Sequence, residues 1–258
     1  MQSLYAIYRK ELGHYFVSPV AYIVVAVFLL LAGFFFYLYV GSAMRQSLEM
    51  AMQGMPSEMD IPGEVMRAFF GLLSTLILFM APMLTMGVYA EERKRGTMEL
   101  LMTSPITETQ IVVGKYLASL TLFAVMLLPT AVYVAYMCLH SEPRPPWSLM
   151  LAGYLGALLL GGSLLAIGSF ISSLTESQLI AFALSFGASL GLWVIDFSVR
   201  GTDSTLGQVL QYLSVIRHYD DFTRGIIDTS SLIYYVTLPA LFVFLTVRSI
   251  DSMRWRRA

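Results

Sequence analysis

Six stretches of this chain run for at least 19 residues without a charged side chain: 15–44, 68–90, 116–139, 145–175, 177–195 and 229–247. The hydrocarbon core of a bilayer takes about 20 apolar residues of helix to cross. Inside lipid every backbone N–H and C=O must be satisfied within the segment, so runs of this kind become spanning helices. The fourth and fifth runs are almost continuous, and the polar break Ser172, Ser173, Thr175, Glu176 and Ser177 divides them. The first run is not read as a cleavable signal peptide, because its apolar core is too long and no clear small-residue cleavage site follows.

The fold class that follows is all-α, a polytopic integral membrane protein with six spans. One membrane domain is expected over 1–258, with no room for a separate soluble one. Only 13% of residues are charged, against roughly 25% in a soluble domain, and the mean hydropathy is +0.70. A net charge of −1 argues against a nucleic-acid partner, which would need a basic face. The single cysteine, Cys138, excludes a disulfide framework within one chain and a Cys-based metal cluster.

Lys and Arg placement sets the orientation. With the N-terminus inside, ten cations fall on the cytoplasmic side: Arg9, Lys10, Arg93, Lys94, Arg95, Lys115, Arg248, Arg254, Arg256 and Arg257. The outside receives six: Arg45, Arg67, Arg144, Arg200, Arg217 and Arg224. Both termini are therefore expected in the cytoplasm, in a multi-pass protein of a plasma membrane.

Three polar stretches complete the frame. Residues 1–16 place Leu4, Ile7, Tyr8, Leu12 and Tyr15 at helical spacing around Arg9, Lys10 and Glu11, the pattern of an interfacial amphipathic helix. Ser18-Pro19 ends it. Residues 45–64 read as a polar, partly irregular outer loop. Residues 196–228 are too polar to span and too apolar for a free loop, so they read as one or two short helices folded back on the outer face.

Sites of chemistry are sparse. The single Gly-Lys pair, Gly114-Lys115, lacks the upstream glycine and following hydroxyl of a phosphate-binding loop. The three histidines, His14, His140 and His218, lie far apart, no zinc-protease or serine-hydrolase motif is present, and no catalytic or metal residue is assigned. His218 reads as a surface hydrogen-bonding residue near the outer side. The span cores hold no ionisable residue, which counts against ion coupling through the membrane. Gly153, Ala157 and Gly161 share a face of the fourth span, and Gly187 and Gly191 a face of the fifth. Small residues at that spacing serve packing within one protomer or contact between two.

The segment Glu91–Lys115 joins the second and third spans and carries four of the 16 Lys and Arg residues. Gly96 interrupts its helix and Thr97 is placed to cap a new one. Met98, Leu100, Leu101 and Met102 give that piece an apolar surface, Ser104-Pro105 ends it, and Thr107-x-x-Gln110 is a capping-box pattern for the third span. The result reads as a rigid knob against which a cytosolic partner can push.

Glu91-Glu92-Arg93, Gly96-Thr97, Glu99 and Leu101, then Ser104-Pro105-Ile106-Thr107 and Gly114-Lys115, resemble the permease subunits of type-2 ABC exporters. Within these the segment is most similar to the gliding-motility and nitrous-oxide-reductase-maturation type. Arg9-Lys10-Glu11 with Ser18-Pro19 is similar to that family's interfacial helix. His218-Tyr219, Phe222, Gly225 and Asp228 resemble the end of its outer helices. The resemblance implies a dimer of permeases, homomeric or heteromeric, with two cytosolic ATPase subunits. ATP and magnesium would be held in those partners, and none of this chain's residues would bind a cofactor. It implies that 91–110 is the coupling segment, with Glu91, Glu92, Arg93, Gly96, Thr97, Glu99 and Leu100 touching the ATPase. The chain departs from larger members in its short outer loops and in lacking a fused nucleotide-binding domain. The same segment would also serve an ATPase-driven mechanotransmission or assembly protein that moves no substrate. An intramembrane enzyme would need clustered carboxylates or histidines, and Arg217, His218, Asp220 and Asp221 match no such motif.

Overall fold

A computed structural model of the chain describes residues 2–53, 60–98, 106–199 and 205–255. Among the described residues every regular element is helical, and six helices are long and apolar enough to cross a membrane. The interfacial helix runs Gln2–Val17. Ser18 is extended, at φ −75° and ψ 121°, and Pro19 opens the first span, Pro19–Met52. Proline suits that position because its ring presets the helical φ and its missing N–H has no partner there anyway.

The second span, Ile61–Thr85, starts on Asp60, whose carboxylate accepts from the Gly63 N–H at 3.1 Å. The third begins with the capping box read from the sequence. The Gln110 N–H donates to the Thr107 hydroxyl at 3.4 Å, and the Thr107 N–H to the Gln110 amide oxygen at 3.4 Å. This span runs Glu108–Leu127, tightens at Leu128–Thr130 around Pro129, and continues as Ala131–His140. The fourth, fifth and sixth spans are Trp147–Leu174, Gln178–Val199 and Thr229–Trp255. Two short helices, Thr205–Leu213 and Val215–Thr223, lie between the last two.

The reading of 45–64 as a loop is corrected at both ends, and residues 54–59 lie outside the described residues. The first span continues as helix to Met52, and the second begins at Ile61. Residues 43–52 are mostly Ala, Met, Arg, Gln, Leu and Glu, all good helix formers. Falling hydropathy marks the edge of the membrane, not the end of a helix. At 34 residues and 1.5 Å per residue, the first span is about 51 Å long, against about 30 Å of hydrocarbon.

The fourth span is the central helix. It packs on the second, third, fifth and sixth spans and on Val215–Thr223. Lipid is as apolar as leucine, so helices in a membrane associate through close packing and not through release of water. Glycines make that packing possible. A Cβ at Gly153 would collide with Phe70, at Gly156 with Phe222, at Gly161 with Phe123, and at Gly168 with Thr85. The glycine face of the fourth span is thus occupied within one protomer. Gly187 and Gly191 on the fifth span face open space.

The two ends of the bundle differ. At one end the short helices are pinned by tyrosines. The Tyr219 hydroxyl donates to the Phe70 carbonyl at 2.9 Å, that of Tyr234 to Leu213 at 2.8 Å, and that of Tyr235 to Val215 at 2.7 Å. His218 belongs to this arrangement and is not a surface residue. It is buried, its ring stacks on Tyr234 at 4.1 Å, and its Nδ1 donates to the Ser214 carbonyl at 3.0 Å. At the other end the interfacial helix, residues 86–98, the start of the third span, the fourth–fifth connection and the end of the sixth span meet.

Candidate coupling site

At the base of the third span the chain continues Ile111-Val112-Val113-Gly114-Lys115-Tyr116, so Lys115 has apolar neighbours before and after it. The interfacial helix crosses here so closely that a Cβ on Gly114 would stand 3.0 Å from the Ile7 side chain. Lys115 is buried as a result, with 2% of its surface exposed. An ammonium has three protons to place, and all three acceptors come from other elements. Lys115 Nζ lies 3.1 Å from Glu11 of the interfacial helix and 2.9 Å from Glu92. It also donates to the Val88 carbonyl at 3.1 Å. The Tyr89 ring lies beside it, 5.4 Å from centroid to Nζ.

The residues around this centre continue the joint. Tyr15 shares a hydrogen bond with Ser119 at 2.9 Å, and Tyr8 donates to Thr121 at 3.1 Å. Burial pushes the Tyr15 phenol up to about 12, more than the Ser119 hydrogen bond lowers it, so it stays a neutral hydroxyl. Val88, Tyr89, Met98, Val112 and Ile250 form a small apolar cluster, with Val243 and Val247 of the sixth span packed on it.

Among the residues expected to touch a partner, Glu91, Glu92 and Arg93 bind the chain's own elements. Glu92 holds Lys115. Arg93 donates to the Ser173 carbonyl at 2.6 Å and sits 3.6 Å from Glu176. Glu91 accepts from the Gln178 amide at 3.1 Å and pairs with Arg95. Three successive charged side chains of the helix Ala90–Lys94 therefore reach the third, fourth and fifth spans. Gly96 then leaves the helix at φ 69°. The Thr97 hydroxyl donates back to the Glu92 carbonyl at 3.3 Å. Lys94, Arg95, Gly96 and Thr97 are exposed. Glu99 and Leu100 lie outside the described residues, as do Leu101–Pro105. On the interfacial helix Glu11 faces inward, while Arg9 and Lys10 are exposed.

Sequence reasoning missed Lys115, which it took for an ordinary inside charge, Ser173, which it took for part of a polar break, and Gln178, which it took for part of the fifth apolar run. An available signal was a lone lysine flanked by apolar residues, with carboxylates at 11 and 92 to neutralise it. Among the described residues no group of three or more His, Cys, Asp or Glu is placed to hold a metal ion.

Six spanning helices, the fourth a glycine-lined centre on which four of the others pack, with a bonded charged segment after the second, define a polytopic membrane protein of the transporter-permease class. Comparison with known proteins agrees: residues 5–249 match the family model for ABC-2 family transporter proteins, and the chain belongs to that family as a transmembrane permease. Two curated relatives, each described as a probable multidrug ABC transporter permease YbhR, come from Escherichia coli strain K12 and from Escherichia coli O157:H7. Each is 30% identical over 177 residues, covering 65% of this chain and 46% of the relative. The match thus spans about half the length of those relatives.

Proposed function

We propose that the chain is the transmembrane half of an exporter, moving a substrate outward with energy from ATP hydrolysed in a separate cytosolic subunit. It works as a pair with a second permease protomer, homomeric or heteromeric, in a bacterial inner membrane with both termini cytoplasmic. ATP and magnesium belong to the partner ATPase, and this chain performs no chemistry. The relatives' description as multidrug permeases makes hydrophobic small molecules the first substrates to try.

One observation supports this reading above the rest. The segment after the second span is bonded to the third, fourth and fifth spans and, through Lys115, to the interfacial helix. It presents Lys94, Arg95, Gly96 and Thr97 outward. A partner that displaced those four residues would displace the spans with them. In this reading Glu91, Glu92 and Arg93 serve as the brace, and Lys94–Thr97 with the following residues, Glu99 and Leu100 included, form the contact. Arg9 and Lys10, at the exposed side of the interfacial helix, face the same partner or the anionic lipid headgroups beside it.

The test is a photo-crosslinking residue at Thr97 in living cells, with one at Met52 as the opposite-side control. The expected product joins position 97 to a protein with a phosphate-binding loop. A correctly inserted chain that crosslinks to no such ATPase from position 97 would overturn the assignment.

A further inference from the structure

The second span stops at Thr85, and residues 86–89 form a turn before the helix Ala90–Lys94. A break in a helix strands backbone groups, and buried ones must find other partners. Tyr89, at the N-cap of the new helix, offers no side-chain cap. Among the described residues the Tyr89 and Ala90 N–H groups find no backbone acceptor. Both donate instead to the hydroxyl of Ser172 on the fourth span, at 3.2 Å each. The same hydroxyl donates to the Met86 carbonyl at 3.1 Å. One side chain thus uses its proton and both lone pairs on the break. Ser172 is fully buried. One helical turn earlier, Gly168 lets the two spans close up, because a Cβ there would strike the Thr85 hydroxyl.

We propose that Ser172 is a positioning residue that caps the coupling segment in trans and fixes it to the fourth span. The segment is covalently continuous with the second span but is joined to it by a four-residue turn. Ser172 ties its backbone to the fourth span, Arg93 reaches the Ser173 carbonyl there, and Glu91 and Glu92 reach the fifth and third spans. Motion applied at Lys94–Thr97 therefore reaches the central helix through the backbone of the segment, beside the side-chain ties to the third and fifth spans. The geometry of the cap stands alone; its role in transmission rests on reading 91–98 as the segment that a partner moves.

The experiment uses the full chain in lipid nanodiscs with Cys138→Ala. Spin labels at Thr97→Cys and Thr175→Cys report the segment against the fourth span. Labels at Thr107→Cys and Thr175→Cys report the third span against the fourth. Ser172→Ala is expected to broaden the first distance distribution and leave the second unchanged. Amide exchange in 86–94 should quicken about five- to tenfold, the usual effect of losing a helix cap, while 215–235 keeps its protection. Ser172→Cys, which fills the same space with a weaker hydrogen-bonding group, should fall between the two. Unchanged exchange in 86–94 in Ser172→Ala, or an equal loss of protection throughout the protein, would overturn the proposal. A failed crosslink from Thr97 would remove the partner reading and leave the cap in place, so the two failures are distinguishable.

Discussion

Lys115 and Glu92 meet at 2.9 Å across the gap between the third span and the segment that follows the second, and Lys115 is almost wholly enclosed. Glu11 shares the same ammonium at 3.1 Å from the interfacial helix. A buried ion pair adds little net stability, because desolvation offsets the attraction. Removing one member is a different matter, since the others are left charged and unpaired. Three helices are held in register by that asymmetry.

Lys115→Met should therefore destabilise the folded chain by about 3–5 kcal/mol, read as a fall in the thermal midpoint of detergent-solubilised protein. The triple variant Lys115→Met, Glu11→Gln, Glu92→Gln should recover much of the loss, because it removes the buried charges together. A triple variant no more stable than Lys115→Met alone would show that the cost arises from packing and not from stranded carboxylates.

Charge reversals on the segment should sort into two kinds. Glu92→Arg places a second cation against Lys115 and should lower the thermal midpoint sharply before any partner is added. Lys94→Glu lies on the exposed side, where substitutions usually stay within about 0.5 kcal/mol, so its effect should appear in the yield of the Thr97 crosslink. If Glu92→Arg left the midpoint unchanged, the enclosed pair would not exist in the membrane.

Gly96→Ala tests the exit from the helix. At φ 69° a side chain costs roughly 1–2 kcal/mol. The strain falls on one exposed turn, so limited proteolysis near 96 should accelerate while the global midpoint moves little.

Packing on the glycine faces predicts a contrast between spans. Gly161→Leu would drive a side chain into Phe123, and overpacking of this kind costs typically 1–3 kcal/mol. Gly191→Leu meets open space and should leave the midpoint of the isolated chain where it was. Equal losses at the two sites would contradict the packing described.

Sidedness is checked by thiol labelling of intact cells in the Cys138→Ala background. Met52→Cys should react with an impermeant reagent added outside, and Ser3→Cys should react only after permeabilisation. Outside labelling at position 3 would invert the topology.

Much of this architecture could be read from local chemistry. The stop at Ser18-Pro19, the capping box at Thr107 and Gln110 and the turn at Gly96 depend on residues within a few positions of each other, and each was found where it was read; the polar break read from Ser172 begins only after Leu174. Where a polar stretch is made of helix formers, as at Arg45–Met52, hydropathy misjudged the helix end. The candidate coupling site was legible as a segment and not as a set of contacts. Glu91, Glu92 and Arg93 look solvated in sequence because they sit in a run of charges of both signs, where Glu91 also pairs with Arg95. Their partners are Gln178, Lys115 and Ser173, between 23 and 87 positions away, and periodicity carries no record of pairs that distant.

The interfacial helix has a consequence for how the protein is made. It leaves the ribosome before the elements it packs on, and its anchors at Leu84, Lys115, Ser119 and Thr121 are synthesised between 69 and 113 residues after their partners on the helix. Glu11 stays without Lys115 until the third span has been threaded into the bilayer. The helix thus waits for its seat, and its docking reports that the second and third spans have been inserted.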